Sequence, residues 1–150
     1  MKPKYYILLL AIPLFFNSCV STKSTLQNVD NNAIKPIVVE NKFLITEYAL
    51  DEKYGFNKDY PINIGFDNER FSDKNIQYYF NALQGKLGEK IIYTKKESCC
   101  PFPTKRSVMG AGMLDVYEVS FEGKEKKYLL YFNIFDKGKL LCPKGFELKK

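Results

Sequence analysis

The sequence predicts an α+β fold, a single antiparallel sheet of about five to six strands with one helix packed on one face. Three observations predict it. Only "FSDKNIQYYFNALQG" (71–85) carries a helical apolar period between a start and a stop signal. The other apolar stretches of the domain are short and rich in β-branched and aromatic residues. The links that follow the helix are short, which favours antiparallel neighbours.

The elements follow in order. "KFLITEYAL" (42–50) reads as a strand and "YGFNKD" as a turn-rich connection. In "YPINIGF" Tyr60, Ile62, Ile64 and Phe66 alternate with Pro61, Asn63 and Gly65, the period of a half-buried strand. The helix takes Ser72 or Asp73 as N-cap, Ile76, Tyr79, Phe80 and Leu83 as its apolar stripe and Gly85 as its C′ residue. Strands resume with "KIIYTKK" (90–96) and "MLDVYEVSF" (113–121), the latter placing Tyr117, Val119 and Phe121 on one face. After the turn "EGKEK", "YLLYFNIFD" (128–136) is apolar on both faces and belongs in the centre of the sheet. "KGKLLCPKGFEL" adds a short last strand.

This domain, expected over 37–150, is preceded by a different kind of sequence. "MKPKYYILLLAIPLFFNSC" has a charged start at Lys2 and Lys4, an apolar run over 5–16, and then Asn17, Ser18 and Cys19. That is the layout of a secretory signal. The apolar run reaches only about 18 Å as a helix, short of a ~30 Å hydrocarbon core, which disfavours a permanent transmembrane helix. "FNSC" resembles a bacterial lipobox: Ser18 is the small residue before the cut, while Phe16 and Asn17 depart from the commoner Leu-Ala/Ser pair. The expectation is a lipoprotein signal peptide over 1–18 and lipidation of Cys19, with a plain secreted protein as the alternative. A cysteine bearing several acyl chains anchors firmly, because each buried methylene contributes roughly 0.8 kcal/mol. From Val20 to Lys35 the chain is Ser/Thr/Asn-rich without aromatics, so 19–36 reads as lipidated Cys plus flexible tether. No acidic run follows Cys19, so the expected location is the cell envelope, at the outer membrane and facing the periplasm.

Composition narrows the chemistry. The chain is 45% hydrophobic with 12 Phe and 11 Tyr, which excludes a disordered protein. Its net charge of +6 comes almost wholly from scattered lysines, with Arg70 and Arg106 the only arginines, and this argues against nucleic acid. Without histidine there is no Ser-His-Asp or Cys-His pair and no HExxH zinc site. "GKLGEK" (85–90) lacks the spacing of a phosphate loop, and "MGAGM" (109–113) reads as a mobile linker entering a strand. Asp115, Glu118 and Asp136 show no dyad spacing and read as solvent-facing residues of strands.

The cysteines in "ESCCPFPTKR" (97–106) carry the open question. An exported domain sits in an oxidising compartment, where thiols pair. The preferred reading joins Cys100, or alternatively Cys99, to Cys142. A Cys99–Cys100 bond, three reduced buried thiols, and a metal or nucleophilic role are the other readings. Three cysteines without a fourth ligand or CxxC spacing make a poor metal site, and no cofactor is predicted. Pro101 and Pro103 would stiffen the loop and Phe102 would plug it into the core.

Several stretches together resemble a family of small Bacteroidota lipoproteins of unestablished role. They are "YGF" (54–56), "YPINIG" (60–65), "FNALQG" (80–85), "GEKIIY" (88–93), "SCCPF" (98–102), "LDVYEV" (114–119), "LYFNIFD" (130–136) and "PKGF" (143–146). Members are sometimes labelled 2-dehydro-3-deoxyphosphooctonate aldolase. Enzymes of that sugar-acid pathway are (β/α)₈ barrels of about 250 residues, more than this domain can supply, and the resemblance carries no catalytic residue onto this chain. The resemblance implies a lipoprotein of this type; the lipobox, the tether and the lack of a catalytic constellation point to a membrane-anchored envelope lipoprotein, a non-catalytic binding or structural module. Its partners would be the membrane, through Cys19, and an envelope protein or glycan. The alternative is an enzyme, either a sugar-acid lyase as the label says or a thiol enzyme using Cys99 or Cys100.

Overall fold

A computed structural model describes residues 23–67 and 72–150. The expected signal peptide, its cut site and Cys19 lie outside these residues.

The fold is α+β, with one short helix and mostly strands, but the strands form several sheets where a single antiparallel one was expected. β1 (Val38–Val39) and β2 (Lys42–Phe43) make a small hairpin around Glu40 and Asn41. Both turn residues have positive φ, 48° and 59°, as a two-residue turn with primed geometry needs. β3 (Ile62–Asn63) is followed by α1 (Ser72–Asn81) and β4 (Leu83–Gln84). Then come β5 (Ile91–Pro103), β6 (Ala111–Phe121), β7 (Lys127–Asn133) and β8 (Glu147–Leu148).

The main sheet has the order β3-β7-β6-β5. β5, β6 and β7 form an antiparallel meander, while β3 lies parallel to β7 with Ile62 opposite Phe132. β7 therefore takes an inner place, as its two apolar faces require. β8 pairs with β4 outside this sheet.

The helix keeps its stripe. Ile76, Tyr79 and Phe80 are buried, and Phe80 stacks on Tyr93 with centroids 4.1 Å apart and meets Phe132 at 5.4 Å. It ends earlier than the stripe suggests. Leu83 lies in β4, and a Cβ at Gly85 would meet the Glu89 side chain.

Two expected strands shrink for one reason, distant polar partners. In 42–50 only Lys42–Phe43 is strand. Beyond it the C-terminal segment takes the pairing: Cys142 N donates to Glu47 O at 2.9 Å and Ala49 N to Cys142 O at 2.8 Å. In 60–66 the alternation predicts Asn63 facing water, yet Asn63 is fully buried. Its amide donates to Gln27 O at 3.0 Å and its carbonyl accepts from Asn133 Nδ2 at 2.9 Å.

Gln27 belongs to the expected tether, and the described part of that tether is bound to the domain. Gln27 N donates to Asp59 O at 2.9 Å, Asn28 Nδ2 to Lys139 O at 3.2 Å, and Asp30 N to Lys137 O at 2.8 Å. Lys35 pairs with Asp67. The polar composition that suggests a solvated linker here supplies the donors and acceptors of a strap.

Among the described residues no helix is long and apolar enough to cross a membrane.

Candidate functional site

The antiparallel β5–β6 ribbon has a side-chain cluster and a cavity at each end. At 3.3 Å per residue its 13-residue strand separates the ends by about 40 Å.

The first end is the tip, residues 104–110, with the strap and the turn after β7 gathered beneath it. Asn133 starts that turn. Its side-chain oxygen accepts from Phe135 N at 3.0 Å and Asp136 N at 3.2 Å, bonding the chain two and three residues on. Asp136, only 2% exposed, accepts from Thr104 Oγ1 at 2.9 Å, Asn31 Nδ2 at 3.3 Å and Asn133 Nδ2 at 3.2 Å. Turn, strap and ribbon thus share one carboxylate. Arg106 adds two bonds, Nε to Phe135 O at 2.6 Å and a terminal nitrogen to Gly65 O at 2.9 Å. Phe102 is buried against Phe135, with centroids 6.0 Å apart, at the ribbon's end. A cavity of about 490 Å³ lies here, with Lys23, Leu26, Asn31, Lys105 and Asp136 in its wall.

Just before the tip, β5 carries a bulge. Cys99 faces Leu114 and Phe102 faces Gly112, so β5 holds one residue more than β6 between those pairs. Cys100 has a φ of 59°, a left-handed conformation unusual for a residue with a side chain. Here Cys99 and Cys100 are bonded to each other, with Cα atoms 3.7 Å apart.

That differs from the expected Cys100–Cys142 or Cys99–Cys142 pairing, and the topology explains why. β5 is the free edge of the main sheet, whereas Cys142 is paired with 47–49 and sits in the core with no exposure. Cys142 is a free thiol whose pKa burial, with a smaller contribution from Glu147, pushes up to about 12. Such a thiol is a packing residue and a poor nucleophile.

The carboxylates expected to face solvent divide. Asp115 is 3% exposed, accepts from Ser98 Oγ at 2.8 Å and pairs with Lys95 at 2.7 Å. Asp136 is buried as described. Glu118 pairs with Lys127 at 3.0 Å on the surface, and this neighbour holds its carboxyl below the usual range.

The second end is a groove of about 580 Å³ beside the β6–β7 turn. Its floor is aromatic: Phe121 and Tyr128 lie 5.8 Å apart and Phe56 and Tyr128 6.1 Å apart. Lys86, Lys124, Lys126 and Lys144 rim it, against the carboxylates of Glu52 and Glu89. Lys126 Nζ sits 4.9 Å from the Tyr128 ring centroid, and Lys144 reaches Glu52 at 3.0 Å. Glu89 is held ionised, chiefly by the backbone N–H of Leu87.

No family model, curated protein or solved structure matches this chain.

Sequence reasoning missed the groove because its rings come from two stretches far apart in the chain, Phe56 and the pair Phe121 and Tyr128. "FEGKEKKY" (121–128) held the only signal, two aromatics framing a run of cations. The Asp136 cluster was also missed, since Asn31, Asn63, Thr104 and Asn133 read one at a time as surface residues.

Proposed function

We propose that the protein is a membrane-anchored envelope lipoprotein whose domain is a non-catalytic binding module, and that the groove beside the β6–β7 turn takes an acidic glycan. The observation that carries this reading is the aromatic floor of Phe56, Phe121 and Tyr128 rimmed by four lysines and two glutamates. Rings stack on the apolar faces of sugars, and excess positive charge selects carboxylated or sulfated ones. Anchoring is supported by the signal layout over 1–18 and by Cys19 in "FNSC". In this reading the groove lies at the end of the ribbon away from the anchor-proximal strap.

The enzyme alternative has less support. A Schiff-base lyase needs a desolvated lysine, and every described lysine is exposed or half-buried. A thiol enzyme needs an accessible thiolate; the ribbon cysteines are bonded to each other and Cys142 is buried.

Calorimetry with polygalacturonate oligosaccharides, and with neutral cello-oligosaccharides as control, tests the glycan reading. Binding of the acidic ligand, weakened at least about tenfold by Tyr128→Ala or by Lys124→Ala with Lys126→Ala, is the expected result. Equal binding of both glycans, or variants that bind like the parent, would overturn it. Membrane fractionation with mass spectrometry of Cys19, against Cys19→Ala, tests the anchor separately.

A further inference from the structure

The tip of the β5–β6 ribbon presents an unusual surface. Val108 is fully exposed and Met109 is 90% exposed, side by side on a loop closed by Thr104 N to Gly110 O and Gly110 N to Ser107 O, each 3.0 Å. Met113, 45% exposed, lies just behind them on β6. Two neighbouring apolar side chains fully in water cost free energy, and the tip is held firmly by Arg106 and by Thr104 on Asp136. The segment 104–113 carries Lys105 and Arg106 and no carboxylate.

The strap tells which way this tip faces. Residues expected to form a long tether are bonded to the domain from Gln27 onward, and Lys23 and Lys105 line the same cavity. Covalent geometry then limits the anchor. Cys19 is four residues from Lys23, a reach of about 14 Å even fully extended. An acylated Cys19 would hold the bilayer surface close to the tip.

We propose that the β5–β6 tip docks on the bilayer that holds the anchor, with Val108 and Met109 entering the interface and Lys105 meeting anionic lipid headgroups. Two apolar side chains and a cation are too few to bind alone, but beside a lipid anchor they set orientation. The domain lies on the membrane by its tip and turns the lysine-rimmed groove outward. This inference rests on the anchored reading and goes beyond it in naming the contact.

The chain contains no tryptophan, so a single introduced one reports its own surroundings. Full-length Met109→Trp, purified in its membrane-processed form, is reconstituted into phosphatidylethanolamine–phosphatidylglycerol vesicles with brominated acyl chains. Leu87→Trp, 84% exposed near the other end of the ribbon, is the comparison. The expected result is at least about twofold quenching of the tip tryptophan, little quenching at position 87, and weaker tip quenching when Lys105→Glu is added. Acylated, vesicle-bound protein whose two tryptophans are equally unquenched overturns tip docking and leaves the anchor standing. A mass spectrum without acyl chains on Cys19 overturns the anchored reading and the docking with it.

Discussion

Thr104 donates its hydroxyl to Asp136 across 2.9 Å, joining positions 32 residues apart. The same hydroxyl oxygen accepts from Arg106 N at 3.1 Å, so one side chain fixes both the ribbon tip and the turn after β7. Thr104→Val removes a donor from a buried carboxylate and should cost about 1–3 kcal/mol, read from urea midpoints, with Thr104→Ser close to the parent. Equal midpoints for both variants would show that the bond contributes nothing.

Gly138 is where the strap crosses the turn. A Cβ there would meet the backbone oxygen of Asn28 and the side chain of Asn63. Gly138→Ala should therefore destabilise by about 1–3 kcal/mol and speed limited proteolysis within 23–35, leaving the β5–β7 ribbon resistant. Unchanged cleavage of the strap would refute its close approach.

The buried thiol gives the stability curve an alkaline limb. Burial raises the pKa of Cys142 from an ordinary 9.0 to about 12. Below 9.0 folded and unfolded chains both hold the proton, and the contribution is fully present. Between 9.0 and about 12 the unfolded chain releases it first, so stability falls as pH rises, at up to about 1.4 kcal/mol per unit. Burial raises the pKa of Tyr54 and Tyr79 as well, which extends the decline above pH 10.0. Urea titrations from pH 8 to 10 should show Cys142→Ala flatter than the parent; identical slopes would exclude the thiol as the cause.

Thiol counting checks the pairing. In Cys19→Ala protein the folded, unreduced chain should leave a thiol reagent unreacted, because Cys99 and Cys100 are bonded and Cys142 is buried. Denaturation should release one reactive thiol, and reduction should bring the count to three. A peptide map linking either ribbon cysteine to Cys142 would contradict the arrangement.

What the sequence disclosed follows the range of the interactions. The stripe Ile76–Tyr79–Phe80 and the inner place of β7 are local patterns, and both hold. Asn63 was misread because a buried asparagine is recognised only through its partners, here Gln27 and Asn133, far away along the chain. Asp136 was misread likewise. Cys142 looked like a partner for Cys99 or Cys100 because thiols of an exported domain pair and a loop before one strand could lie beside the end of the last, and only the topology separates the sheet edge from the core. The groove combines residues from 52 to 145, a span no short pattern covers.

The parallel pairing of β3 with β7 has a kinetic consequence. Asn63 and Asn133 are 70 residues apart, so this ladder closes only after the intervening chain has been made. The meander can form by itself through neighbouring strands, whereas β3 must wait for β7. A chain synthesised or threaded from its N-terminus therefore carries a first half that cannot complete its sheet. The parallel ladder stays open until residue 133 emerges.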